Sequence, residues 1–203
     1  MPGGAVCLHL WLSGPPPLSS VVRCNMTVEA LLREVREAFA NATRPRRTMA
    51  DAEVEDDRSE ASRFPEHDTH WWEVPDELLR RCSAPMCFLA PADFVYYLPA
   101  YMGWFLRTKG ATNSFSSESL IYYLSDSERG GRIASLLDCH QRGAVILFLE
   151  FVTLSPNLWY FHEHAKSGLL TIWRITEPGA SPNGGPAERS GNSGVSEGPL
   201  SVS

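Results

Sequence analysis

F-L-A-P-A-D-F-V-Y-Y-L-P-A-Y-M-G-W-F-L-R, from Phe88 to Arg107, decides the fold. It is the densest run of large apolar side chains in the sequence. Pro91 suits the first turn of a helix, where a missing N–H is not needed, and Asp93 sits near the positive end of the dipole, although Ala90 is a poor N-cap. Phe94, Tyr97, Leu98, Tyr101 and Phe105 recur at i, i+3, i+4, i+7 and i+11, and Val95, Pro99, Met102 and Leu106 form a second stripe beside them. A helix that is apolar on two faces must be covered on both. The expected architecture is therefore mainly α, a compact helical domain around a central kinked helix with little or no β. The kink is expected at Pro99, which has no N–H for the carbonyl of Val95. Between the stripes runs a narrow strip of Asp93, Tyr96, Ala100, Gly103 and Arg107, polar at its ends and small in the middle, which another backbone or a ligand can approach closely.

Working outward, Val28, Leu31, Leu32, Val35 and Phe39 lie on one stripe of an amphipathic helix, with Thr27 as N-cap and Glu29 in its first turn. Asn41 and Pro45 end it. Thr48 to Thr69 is rich in acid and poor in apolar residues, and reads as a long surface loop. Pro75, Asp76 and Glu77 open a short helix that carries Leu78 and Leu79 inward. Ser114 to Leu124 fits a strand or a helical turn equally well, and Ser125 to Gly131 reads as a loop. Asp138 and Gln141 have capping-box spacing ahead of Val145, Phe148, Leu149 and Val152, a helix expected to pair with the central one. Leu169 to Ile175 fits a helix or an alternating strand, with helix preferred.

The ends read differently. Residues 1–25 show neither period and contain Gly14-Pro15-Pro16-Pro17, a disordered leader, with Met26 as a second candidate start that would leave them untranslated. Residues 26–175 form one helical domain, and 176–203 a disordered tail rich in Gly, Ser and Pro.

At 203 residues the chain fits one domain plus tails. Its net charge of −6 argues against a strongly basic nucleic-acid surface. Uncharged runs fall short of the ~20 residues of a membrane helix. Five cysteines without a closely spaced even framework suggest reduced thiols and a cytoplasmic setting. His67, Asp68, His70, the Cys82 and Cys87 pair and His162-Glu163-His164 each lack a full ligand set with defined spacing, so neither a metal nor a cofactor is expected. Gly130-Gly131 lacks the Lys and Ser or Thr of a phosphate loop.

Several motifs in order carry a family resemblance: the helix ending in Phe39, then Trp72-Glu73-Val74-Pro75-x-x-Leu78-Leu79, then Phe88-Leu89-x-Pro91-x-x-Phe94-x-Tyr96-Tyr97-Leu98-Pro99-Ala100-Tyr101-Met102. Arg132-Ile133-x-x-Leu136 and Gln141-Arg142-x-x-Val145-x-x-Phe148-Leu149 complete the set. From Val28 to about Val152 the chain resembles small bacterial proteins grouped only as a domain of unknown function. Ala90 departs from the Ser or Thr expected before Pro91, and the acidic loop is longer than usual. The resemblance implies architecture and supplies no catalytic residues.

Two functional expectations follow. The leading one is a non-catalytic protein-interaction module of the antitoxin or immunity type, whose acidic surface steers a basic protein partner. The alternative is a small-ligand binder or enzyme using the strip beside Pro99. There Asp93, Tyr96, Tyr97, Tyr101 and Arg107 offer an acid, phenols and an anion-pairing guanidinium.

Overall fold

Periodicity of 3.6 residues dominates the sequence, and the computed structural model of the protein realises it. The structure describes residues 26–58, 70–110 and 114–174, which contain helices and no strand. The leader 1–25, residues 59–69 of the expected loop and the tail 176–203 lie outside the described residues.

Helix α1 (Val28–Ala38) starts where the Thr27 hydroxyl accepts the Ala30 N–H at 3.2 Å, and it buries Leu31, Val35 and the following Phe39. The acidic stretch after it is not all loop. Met49–Asp57 forms a second helix, α2. Thr48 and Asp51 close a reciprocal capping box, the Asp51 carboxylate accepting the Thr48 N–H at 2.7 Å and the Thr48 hydroxyl accepting the Asp51 N–H at 3.3 Å. Low apolar content concealed this helix because it turns only Met49, Ala52 and Glu53 inward. Arg58, in the left-handed region at φ 50°, ends it.

A single 3-10 turn (Trp71–Glu73) then brings Trp71 into the core, its indole donating to the Phe39 carbonyl at 2.9 Å. The short helices α3 (Asp76–Arg81) and α4 (Pro85–Phe88) lead into α5 (Pro91–Arg107). Helix α5 runs unbroken through Pro99 and buries every residue from Tyr96 to Leu106, as two apolar stripes require. At its C-terminus the N–H of Gly110 bonds the Phe105 carbonyl at 2.8 Å and that of Lys109 bonds the Leu106 carbonyl at 3.3 Å, the Schellman pattern. Lys109 occupies the left-handed position at φ 52°, where a side chain costs about 1–2 kcal/mol. Glycine there costs only about 0.5–1 kcal/mol in chain entropy. Lys109→Gly is therefore expected to stabilise the fold by roughly 0.5–1 kcal/mol. Urea titration reads this as a higher midpoint, and a lower midpoint contradicts it.

Ser114 to Leu124, ambiguous by period, belongs to helix α6 (Phe115–Ser125). The expected loop over 125–131 is shorter than read, because α7 (Arg129–Leu136) takes Gly130 and Gly131 into its first turn. The Asp126 carboxylate starts α7 by accepting the N–H groups of Glu128 and Arg129 at 3.1 and 2.7 Å. Gly130 serves close approach: a Cβ there would sit 2.7 Å from the Leu124 carbonyl oxygen. Helix α8 (Cys139–Leu154) opens with the Asp138 and Gln141 capping box. It lies along α1 and a later helix, α9 (His162–Gly168), and meets α5 through the edge of Phe148 against Phe105, ring centroids 5.4 Å apart. A 3-10 segment (Pro156–Phe161) precedes α9, and a π turn (Leu169–Trp173) follows it, so this stretch is helical. Trp173 anchors the turn by donating to the Leu124 carbonyl at 2.8 Å. Among the described residues no single helix is long and apolar enough to cross a membrane.

Candidate functional site

The strip on α5 is packed against neighbouring elements. Tyr97 is buried and its hydroxyl accepts the Met49 N–H of α2 at 3.2 Å. Tyr101 is fully buried, donates to the Cys82 carbonyl, and has its phenol pushed well above the usual value by that burial. Tyr96 is buried edge-on to Tyr97, centroids 5.0 Å apart. Beside Gly103 stands Leu32, so α1 makes the close approach that the small residues allow. The ends of the strip point elsewhere: the Asp93 carboxylate accepts the Arg46 N–H at 3.2 Å, and Arg107 pairs with Asp76. Asp93, Tyr97, Tyr101 and Arg107 are thus engaged by separate groups outside α5, at Arg46, Met49, Cys82 and Asp76, while Tyr96 packs on Tyr97 of the same helix.

The concave feature lies on the other side of the core. Helix α6 carries Phe115, Glu118, Ser119 and Tyr122 at i, i+3, i+4 and i+7, one helical face with an aromatic at each end and polar residues between. Here it faces outward. Helix α9 runs beside it, held by the Ser125 hydroxyl at 2.7 Å from the His164 carbonyl and by Gly168, where a Cβ would sit 3.1 Å from the Leu124 carbonyl oxygen. Between the two helices opens a cleft of about 480 Å³, within the usual range of ligand sites. His164 and Ser167 form its second wall, and Met86 and Cys87 of α4 together with Asp126 and Arg129 complete the lining. Tyr122 lies against the His164 ring, centroids 4.3 Å apart.

Charge in this cleft is divided. Arg129 places its guanidinium 5.9 Å from the centroid of Tyr123, whose phenol is pushed up by burial. Tyr160 of the preceding 3-10 segment has its phenol's pKa raised, chiefly by the Glu118 carboxylate near it. Two aromatics of the lining are exposed, Phe115 at 71% and Tyr122 at 51%, and on the 3-10 segment Trp159 and Tyr160 are 72% and 52% exposed. None of the five residues expected from the sequence lines this cleft. The missed signal was the stripe from Phe115 to Tyr122, which is visible as a period but not as an outward one. Among the described residues no group of three or more His, Cys, Asp or Glu is arranged to hold a metal ion.

A family model described as a family of unknown function, DUF6714, matches residues 27–173. The chain belongs to that family. Comparison with curated proteins and with solved structures returns no match. The DUF6714 match begins at the Thr27 cap of α1 and ends at Trp173, so both walls of the cleft lie within the family's domain.

Proposed function

We propose that this DUF6714 domain is a non-catalytic protein-interaction module that docks its partner through the α6–α9 cleft and its aromatic rim. One observation carries the reading: Phe115 and Tyr122, both more than half exposed, line a concave surface, and the equally exposed Tyr160 stands near Glu118 of the same lining. Large aromatics burying area at low entropic cost are the residues that dominate protein interfaces, and exposed rings grouped at a concave surface mark such a site. The acidic balance of the chain favours a basic partner and speeds its encounter. Sequestering a basic protein is the physical task of an antitoxin or immunity protein, and that is the type we propose, in a cytoplasm that keeps Cys82, Cys87 and Cys139 as free thiols. The competing proposal, a ligand or enzyme site at Asp93, Tyr96 and Arg107, gains no support from groups already engaged by neighbouring elements.

The test is affinity capture from the native host with the wild-type chain and with a Tyr122→Ser/Tyr160→Ser variant. Both positions are more than half exposed, so the variant is expected to fold. A protein held by the wild type and lost by the variant supports the proposal. A partner held equally by both overturns it.

A further inference from the structure

The rim of the cleft is not uniformly apolar. Glu118 lies on the same face of α6 as Phe115 and Tyr122, three residues after the first and four before the second, and Tyr160 reaches it from the opposite side. Side chains three and four apart on a helix are direct neighbours. A single carboxylate is thus set among three exposed rings. Among the described residues no cation pairs with it. Other charged or titratable groups of the cleft are Asp126, Arg129, His164 and the Cys87 thiol. Asp126 accepts hydrogen bonds from the first turn of α7, and the exposed Arg129 stands 5.9 Å from the Tyr123 centroid.

We infer that the partner enters this cleft with an arginine side chain, whose guanidinium pairs with Glu118 and lies against the rings of Tyr122, Tyr160 and Phe115. This deepens the docking proposal and rests on it. Three properties select arginine. A carboxylate accepts a guanidinium through two parallel hydrogen bonds, a geometry lysine cannot match. Tyrosine and phenylalanine faces attract cations within about 6 Å, guanidinium more often than ammonium. The chain already uses this pairing internally, in Arg129 over Tyr123 at 5.9 Å and Arg36 over Trp72 at 5.2 Å, whereas the rings around Glu118 have no cation among the described residues.

The probe is N-acetyl-arginine amide, with N-acetyl-citrulline amide as its uncharged isostere, titrated into the full chain in the millimolar range and followed by amide chemical shifts. Saturable shifts confined to residues 115–126 and 160–167 with the arginine compound, absent with citrulline, are expected. Glu118→Gln should weaken the binding at least about tenfold, the loss of a charge-assisted hydrogen bond. Tyr160→Phe, which keeps the ring and removes only its hydroxyl, should bind as tightly as wild type or tighter. Absent or scattered shifts, or equal response to citrulline, overturn the arginine assignment. The docking proposal is judged separately: a partner lost on changing Tyr122 and Tyr160 but indifferent to Glu118→Gln leaves docking standing and removes arginine.

Discussion

Phe105→Ala is expected to remove about 3–5 kcal/mol of stability, a large share of the roughly 5–15 kcal/mol that holds a domain of this size. The ring is fully buried near the C-terminal end of α5. It meets Phe148 of α8 edge-on at 5.4 Å and Phe161, the last residue of the 3-10 segment, at 5.2 Å. Truncation removes the transfer energy of the ring and leaves a cavity between α5 and two later elements distant from it in sequence. Urea titration of the variant should show a much lower midpoint with an unchanged slope. A loss under about 1 kcal/mol would mean that α5, α8 and the C-terminal segment do not share one core.

Gly110→Val stands next in size. Gly110 completes the Schellman turn at φ +68°, and a Cβ there would lie 2.8 Å from Leu158, 2.9 Å from Phe105 and 3.0 Å from Phe161. Left-handed backbone costs an ordinary residue about 1–2 kcal/mol, and overpacking adds about 1–3. The sum is roughly 2–5 kcal/mol. The adjacent Lys109→Gly change moves stability the other way, so the pair separates backbone conformation from crowding. Thermal unfolding of both variants checks this. A Gly110→Val protein as stable as wild type would show that the turn does not press on Leu158 and Phe161.

Some of this was legible before the structure. Helices α1, α5 and α8 follow from unambiguous 3.6-residue stripes whose residues are buried as the period demands. The capping box at Asp138 and Gln141 is an N-terminal signature that depends on no tertiary contact. Helix α2 escaped because its signal is the local box at Thr48 and Asp51, while its apolar content resembles that of a loop. Gly130-Gly131 was read as a turn because glycine's need for space against the Leu124 carbonyl is invisible without α6 in place. The site was hidden for a related reason. Tyrosines on α5 and α6 look alike in sequence, and only the tertiary arrangement decides that Tyr97 and Tyr101, against Met49 and Cys82, are core while Tyr122, beside α9, lines a cleft.

The central claim, that function sits at the α6–α9 cleft and not on the α5 strip, is tested most directly with the captured partner in purified form. Its dissociation constant is measured for three chains: wild type, Tyr122→Ser/Tyr160→Ser, and Asp93→Asn/Arg107→Gln. Two interface aromatics should together account for about 100-fold or more in affinity, and the strip variant should bind as wild type does. Full binding by the cleft variant with loss in the strip variant contradicts the account.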